Sequence, residues 1–290
     1  MSWMVPPQFL AIDIETIAGE PTEAEEWMRK SWSPSPKWKP ATIGNRFLEA
    51  YEKKQEQLAL LDTAPIITVA MRTEADCRVI HHLPVGDQQV VGARLEQTAD
   101  QAAMLRRVRD YLDQCTPETV LVGHNIRHFD LPKLRHAMIR HDVRLPQCLV
   151  WHDQPLFDTM IEWNRYTLDE RPMISLSDVL DACGLPNHKR VIEGAFVPEL
   201  YQQGQYQTIL TYAVADVVAE WNLFLRMTGQ AGDTSLDSGR KQPPKVMDNS
   251  PGNPTPICPA ARVVGPPIRL PDDAQAADGN IDALVKEFEQ

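Results

Sequence analysis

Apolar positions in the first 228 residues fall into short unbroken runs and into stretches repeating every three to four residues, and the two patterns alternate. Phe9–Thr16 (FLAIDIET) is an apolar run that reads as a buried strand. A Trp- and Pro-rich segment, EEWMRKSWSPSPKWKP, follows. Asn45–Leu61 then places Phe47, Leu48, Tyr51, Leu58 and Leu61 at helical spacing. Ala64–Arg72 and Cys77–Leu83 are two strands separated by a short polar turn, and so predict a hairpin. Thr98–Cys115 returns to helical spacing through Ala102, Leu105, Val108, Tyr111 and Leu112. Thr119–Asn125 predicts a fourth strand ending at Gly123, residues 131–141 a helix, and Pro155–Met160 a fifth strand. Ser175 with Asp178 three residues on forms a capping box, and Gly184 is placed to end the helix it opens. The last long helix covers about 205–227. Strands interleaved with helices after an initial meander predict a three-layer α/β domain with a mixed central sheet.

From Gly229 the pattern stops. The chain becomes dense in Pro, Gly, Ser and Asp with no period able to bury a face, which predicts a disordered or extended tail. The division is therefore a folded domain at 1–228, with an insertion at about 20–62, and a tail at 229–290. The tail ends in an amphipathic segment, 280–289, with Ile281, Leu284, Val285 and Phe288 on one stripe. That stripe is expected to dock on a protein partner or on the folded domain, or else to stay solvated.

Composition narrows the class. The 290 residues suffice for a proper core, and no apolar run reaches membrane-spanning length. The first residues lack the basic and apolar blocks of a secretion signal, so a cytoplasmic location without a membrane is expected. Cys77, Cys115, Cys148, Cys183 and Cys258 include no CxxC pair, which argues against a zinc site. A formal net charge of −11 argues against a broad basic surface gripping nucleic acid, although carboxylates that recruit metal still present cations to a phosphate.

Candidate chemistry begins at the end of the first strand. Side chains two apart leave the same face of a strand, so Asp13 and Glu15 stand side by side. Such a pair either shares a divalent cation or runs out into solvent. Asp130 precedes Pro132 at a helix start and alone would pass for a cap. Tyr212 and Asp216 are four apart, on one face of the last helix. Taken in order, D-x-E closing the first strand, N-x-x-x-F-D (Asn125–Asp130) and Y-x-x-x-D (Tyr212–Asp216) resemble the three motifs of the DnaQ-like superfamily of DEDD 3′–5′ exonucleases. The tyrosine four before the last aspartate is that of the DEDDy branch; the histidine branch would carry histidine where this chain has Thr211. FDTM and SLSDVLDACGLP also resemble landmarks of that superfamily, and the helical insertion ahead of Pro65 resembles that of stand-alone relatives of the proofreading domain of family-B DNA polymerases. The resemblance covers about residues 8–226.

The resemblance implies a ribonuclease H-like fold and two divalent ions, Mg2+ or Mn2+. Asp13 would bridge them, Glu15 and Asp216 would complete the first site, and Asp130 would hold the second. Tyr212 would orient the attacking water; a phenol with an ordinary pKa of about 10 is a poor base by itself. Ile14, Thr16, Asn125 and Phe129 are the implied substrate-contacting positions. Asn125 either bonds the terminal nucleotide or supports the Asp13 loop, and Phe129 either packs under a base or fills core. His124 and His128 fit no ligand set and read as structural or solvated. The expected substrate is DNA with a free 3′ end, with RNA the alternative through ribonuclease D-like enzymes, and a scaffold protein on the same fold the rival class. Trp27, Trp32 and Trp38, interleaved with Arg29, Lys30, Lys37 and Lys39, either stack on unpaired bases or pack the insertion onto the domain.

Overall fold

Strand β1 (Phe9–Thr16) lies inside a six-stranded mixed sheet of order β4-β3-β2-β1-β5-β6. The computed structural model describes residues 6–19, 32–85, 90–150, 153–166, 173–190 and 194–230. Trp27, Arg29, Lys30, Cys258 and the 280–289 segment lie outside the described residues. The hairpin is present as β2 (Ile66–Arg72) and β3 (Cys77–His81), antiparallel to each other, with β2 antiparallel to β1. The expected fourth and fifth strands are β5 (Val120–Gly123) and β6 (Leu156–Asp158), both parallel to their neighbours. A further strand, β4 (Arg94–Gln97), runs parallel to β3 at the sheet edge. Its sequence, RLEQ, has a single apolar residue, because an edge strand with little burial needs no apolar run.

The insertion forms two helices where one helical stretch was expected, α1 (Pro40–Glu52) and α2 (Gln55–Ala59). The break at Lys53–Lys54 re-aims the chain so that Leu58 is buried with Ala18, and Trp32, Phe47, Tyr51 and Leu61 pack on them. Trp32 meets Phe47 edge-on at 5.6 Å, so this tryptophan is a packing residue of the insertion. The remaining helices are α3 (Gln101–Leu112), α4 (Asp130–Arg140), α5 (Gln147–Val150), α6 (Thr159–Trp163), α7 (Leu176–Cys183), α8 (Val197–Gln202) and α9 (Tyr206–Thr228). The capping box is realised: the Ser175 hydroxyl accepts from the Asp178 N–H, and Gly184 ends α7 in the left-handed region at φ 65°.

The sheet separates two cores. Leu10, Ile12 and Ile14 of β1 enter one, against α3 and α4. Ala11, with Phe9 packed beside it, enters the other, against α9. Helix α9 corrects one expectation: by length and composition it is apolar enough to cross a membrane. It is apolar nearly all round because it packs on the sheet on one side and on α7 and α8 on others, and 83% of its most apolar window is buried in the fold. Cys77 and Cys148 are buried, Cys115 and Cys183 half-buried, and all four are free thiols.

Candidate active site

Alternation along β1 decides where the first acids go. Asp13 and Glu15 continue the Phe9 and Ala11 side, which faces α9, and α9 presents Tyr212 and Asp216 on the facing stripe. As a result one ligand oxygen from each of Asp13, Glu15 and Asp216 lies within 4.8 Å of the others. Glu15 and Asp216 are buried, and Asp13 Oδ2 is buried with no hydrogen-bond partner. Tyr212 is buried beside them, and a Cβ at Gly194 would stand 3.3 Å from its hydroxyl, so the turn opposite passes close to the phenol.

Asp130 reaches the site from the other side. β5 pairs with β1 only from Phe9 to Ala11, so β1 outruns its neighbour and its later N–H groups on that edge need acceptors. Asp130 is the first residue of α4 after an Phe129 N-cap, and its Oδ1 accepts from the Ile14 N–H at 3.2 Å. It therefore ties α4 to the motif strand, while its carboxylate also meets its own N–H at the start of the helix. It lines a cavity of about 340 Å³ with Asp13, Asp216 and Glu220, outside the tight Asp13–Glu15–Asp216 group.

The turn from β5 to α4 is held by a side chain from the FDTM stretch. Asp158 accepts from the N–H groups of Asn125 (3.0 Å) and Arg127 (3.1 Å), and from Met160 and Ile161 as the N-cap of α6. Asn125 sits at φ 62°, a conformation Asn tolerates better than most residues. A Cβ on Gly123 would lie 2.7 Å from Ile126 Cβ, so only glycine fits there. His124 is structural, its ring nitrogens bonding Thr159 Oγ1 and the Ile174 carbonyl, both at 2.9 Å; His128 is exposed.

Three site residues were absent from the sequence reading. His188 and Lys189, on a 3-10 turn at His188–Arg190, both bond Asp216, and Lys189 Nζ lies 2.7 Å from both Asp216 Oδ2 and the Tyr212 hydroxyl. No spacing rule links a turn to a helix over twenty residues later. Glu220 extends the Tyr212–Asp216 series by four and was legible by that spacing. It is buried, and its Oε1 accepts from the His124 N–H at 3.0 Å.

Electrostatics follow from this crowding. Burial, then the neighbouring carboxylates, pushes Asp13 and Glu15 well above the usual carboxylate range. Burial likewise raises Glu220 well above it and Asp130 to about 8. Asp216 is the exception: burial would raise it, but Lys189 and His188 outweigh that and hold it below its ordinary value. Burial and the surrounding carboxylates push the Tyr212 phenol well above 10.

A second cavity, of about 280 Å³, is lined by Glu15, Thr16 and Tyr212 among others; Asp13, Phe129, Lys189 and Asp216 line both. Of the four expected substrate positions, Ile14 and Thr16 line the second cavity and Asn125 the first. The Thr16 hydroxyl is already committed to the Ala59 carbonyl at 2.8 Å, while the Asn125 side-chain oxygen is buried without a partner. Phe129 is half-buried against the α3–α4 core, with Lys133 Nζ 4.9 Å from its ring centre.

Hard oxygen donors, mutual repulsion and an orphaned Asp13 oxygen make the Asp13–Glu15–Asp216 group a good match to a divalent cation such as magnesium or manganese. A comparison with curated proteins gave no match. A family model does match: residues 166–248, which carry Lys189, Tyr212, Asp216 and Glu220 and run past Gly229, are similar to a family described as predicted 3′–5′ exonucleases related to the exonuclease domain of PolB.

Proposed function

We propose that this chain is a divalent-metal-dependent 3′–5′ exonuclease that shortens DNA, single strands foremost, from a free 3′ end and releases nucleoside 5′-monophosphates. The observation that carries the reading is the convergence of Asp13, Glu15 and Asp216 with the Tyr212 hydroxyl around one cavity. The similarity of residues 166–248 to predicted 3′–5′ exonucleases supports the same class. Asp13, Glu15 and Asp216 would hold one cation, with Asp130 beside a second. Such ions, when bound, neutralise phosphate charge and act as Lewis acids in phosphodiester hydrolysis. Tyr212 stays protonated at neutral pH, because its surroundings disfavour the phenolate. Its part is therefore to donate a hydrogen bond that orients a water, not to remove a proton. Lys189 donates to the phenol oxygen and fixes the ring's tip. Asn125 and Phe129 are placed to meet the terminal nucleotide in the adjoining cavity.

The test is degradation of 5′-labelled single-stranded DNA, duplex DNA and RNA by the full-length protein with Mg2+ or Mn2+. A ladder shortening from the 3′ end, fastest on single-stranded DNA and blocked by a 3′-terminal phosphorothioate, is expected. A folded Asp13→Ala variant is expected to be inactive. Degradation of RNA alone would reassign the substrate. Equal rates for parent and Asp13→Ala would remove the metal assignment.

A further inference from the structure

We propose that Glu220 is a metal ligand, completing with Asp13 and Asp130 a divalent-cation position in the cavity that these three acids line. Glu220 belongs to none of the three motifs, and the inference rests on the exonuclease reading above. Its placement is specific. Among the described residues Glu220 is 3% exposed, and its Oε2 is buried with no hydrogen-bond partner, the condition a carboxylate oxygen reaches only at a cost unless a cation or proton meets it. The other oxygen is spoken for by the His124 N–H, which fixes the carboxylate plane at the end of β5. Asp13, which carries the other orphaned carboxylate oxygen among the described residues, lines the same 340 Å³ cavity.

The geometry also accounts for what Asp130 lacks. Asp130 and Glu220 both stand outside the tight Asp13–Glu15–Asp216 group, and Asp130 has one oxygen turned to the Ile14 N–H, so alone it offers little to an ion. Glu220 provides a second fixed carboxylate on the lining of the same cavity. The two acids come from different helices, α4 and α9, and a cation between them joins the helices on the two sides of the sheet. Lys189 also lines this cavity, but its Nζ is committed to Asp216 and the Tyr212 hydroxyl and leaves Glu220 Oε2 without a hydrogen bond.

The experiment is a Mn2+ titration of the full chain followed by the electron paramagnetic resonance signal of free Mn2+, on the parent and on Glu220→Gln, Glu220→Asp and Asp13→Asn. Glutamine keeps the Oε1 that receives the His124 N–H, and folding is checked by circular dichroism. The parent is expected to bind in two steps. Glu220→Gln should weaken one step roughly tenfold or more and leave the other in place. Glu220→Asp, which keeps the charge but retracts it by one methylene, should weaken the same step, and decides the matter if the glutamine variant does not fold. Parental stoichiometry and affinity in a folded Glu220 variant overturn this assignment while leaving the exonuclease reading intact. No Mn2+ binding by the parent, or binding indifferent to Asp13→Asn, overturns the exonuclease reading itself.

Discussion

At the scale of single residues, the pairing of Lys189 with Tyr212 separates two roles a tyrosine could take. A phenol acting as a base would gain from a cation that lowers its pKa, yet here burial and carboxylates prevail and the hydroxyl stays protonated. The lysine then works by holding the oxygen still at 2.7 Å. If both residues act through one oriented water, Tyr212→Phe and Lys189→Ala should each slow single-turnover cleavage on the order of 10²-fold. The double variant should be hardly slower than the worse single one, because residues of one hydrogen-bonded unit do not add. Fully multiplicative losses would mean that Lys189 serves a separate purpose, such as meeting substrate phosphate.

Elements supply the framework, and here legibility from sequence was uneven for physical reasons. Buried strands and the core helix announce themselves, because unbroken apolar runs and apolar helical periods are local patterns. β4 did not, since an edge strand with one apolar residue reads as coil. The turn at His188–Lys189 was equally silent: its value lies in where the chain folds back onto α9, a long-range fact with no local period. Glu220 was different, being spaced in plain view four residues after Asp216. The FDTM stretch looked like a landmark without a job, and the structure gives it one. Asp158 gathers four backbone N–H groups from two segments and so sets the β5–α4 turn that delivers Asn125 and Asp130. Asp158→Ala leaves those buried or half-buried donors without their acceptor and removes a helix cap. A loss of about 3 kcal/mol or more is expected in denaturant unfolding. A loss below about 1 kcal/mol would show that water replaces the carboxylate at little cost.

Across the whole molecule, carboxylates from both sides of the sheet are concentrated in one poorly solvated place, and the fold carries that repulsion. For Asp13, Glu15, Glu220 and Asp130 the folded state keeps protons that the unfolded chain has released. Stability therefore falls as pH rises. For Asp130 the window runs from about 4, where the unfolded carboxyl ionises, to about 8, where the folded one does. The slope is at most about 1.4 kcal/mol per pH unit for each such group. Asp216 acts in the opposite sense, its stabilisation being present above about 4 and lost as pH falls further. The metal-free protein is expected to melt at a lower temperature at pH 8 than at pH 5, with Mn2+ recovering the difference chiefly at the higher pH. A metal-free melting temperature flat over that range would mean that water already relieves the crowding.

The same crowding sets a direction for mutational drift. Replacing Asp13, Glu15, Asp130 or Glu220 by its amide removes repulsion and leaves a chain that folds more readily without ions, so inactivation at those positions runs downhill in stability; Asp216, held by Lys189 and His188, is the exception. Folding alone does nothing to keep Asp13, Glu15, Asp130 and Glu220 together, and resists them. A lineage released from the need for the reaction would shed these four positions ahead of its apolar core, and the order of that decay would be readable in its descendants.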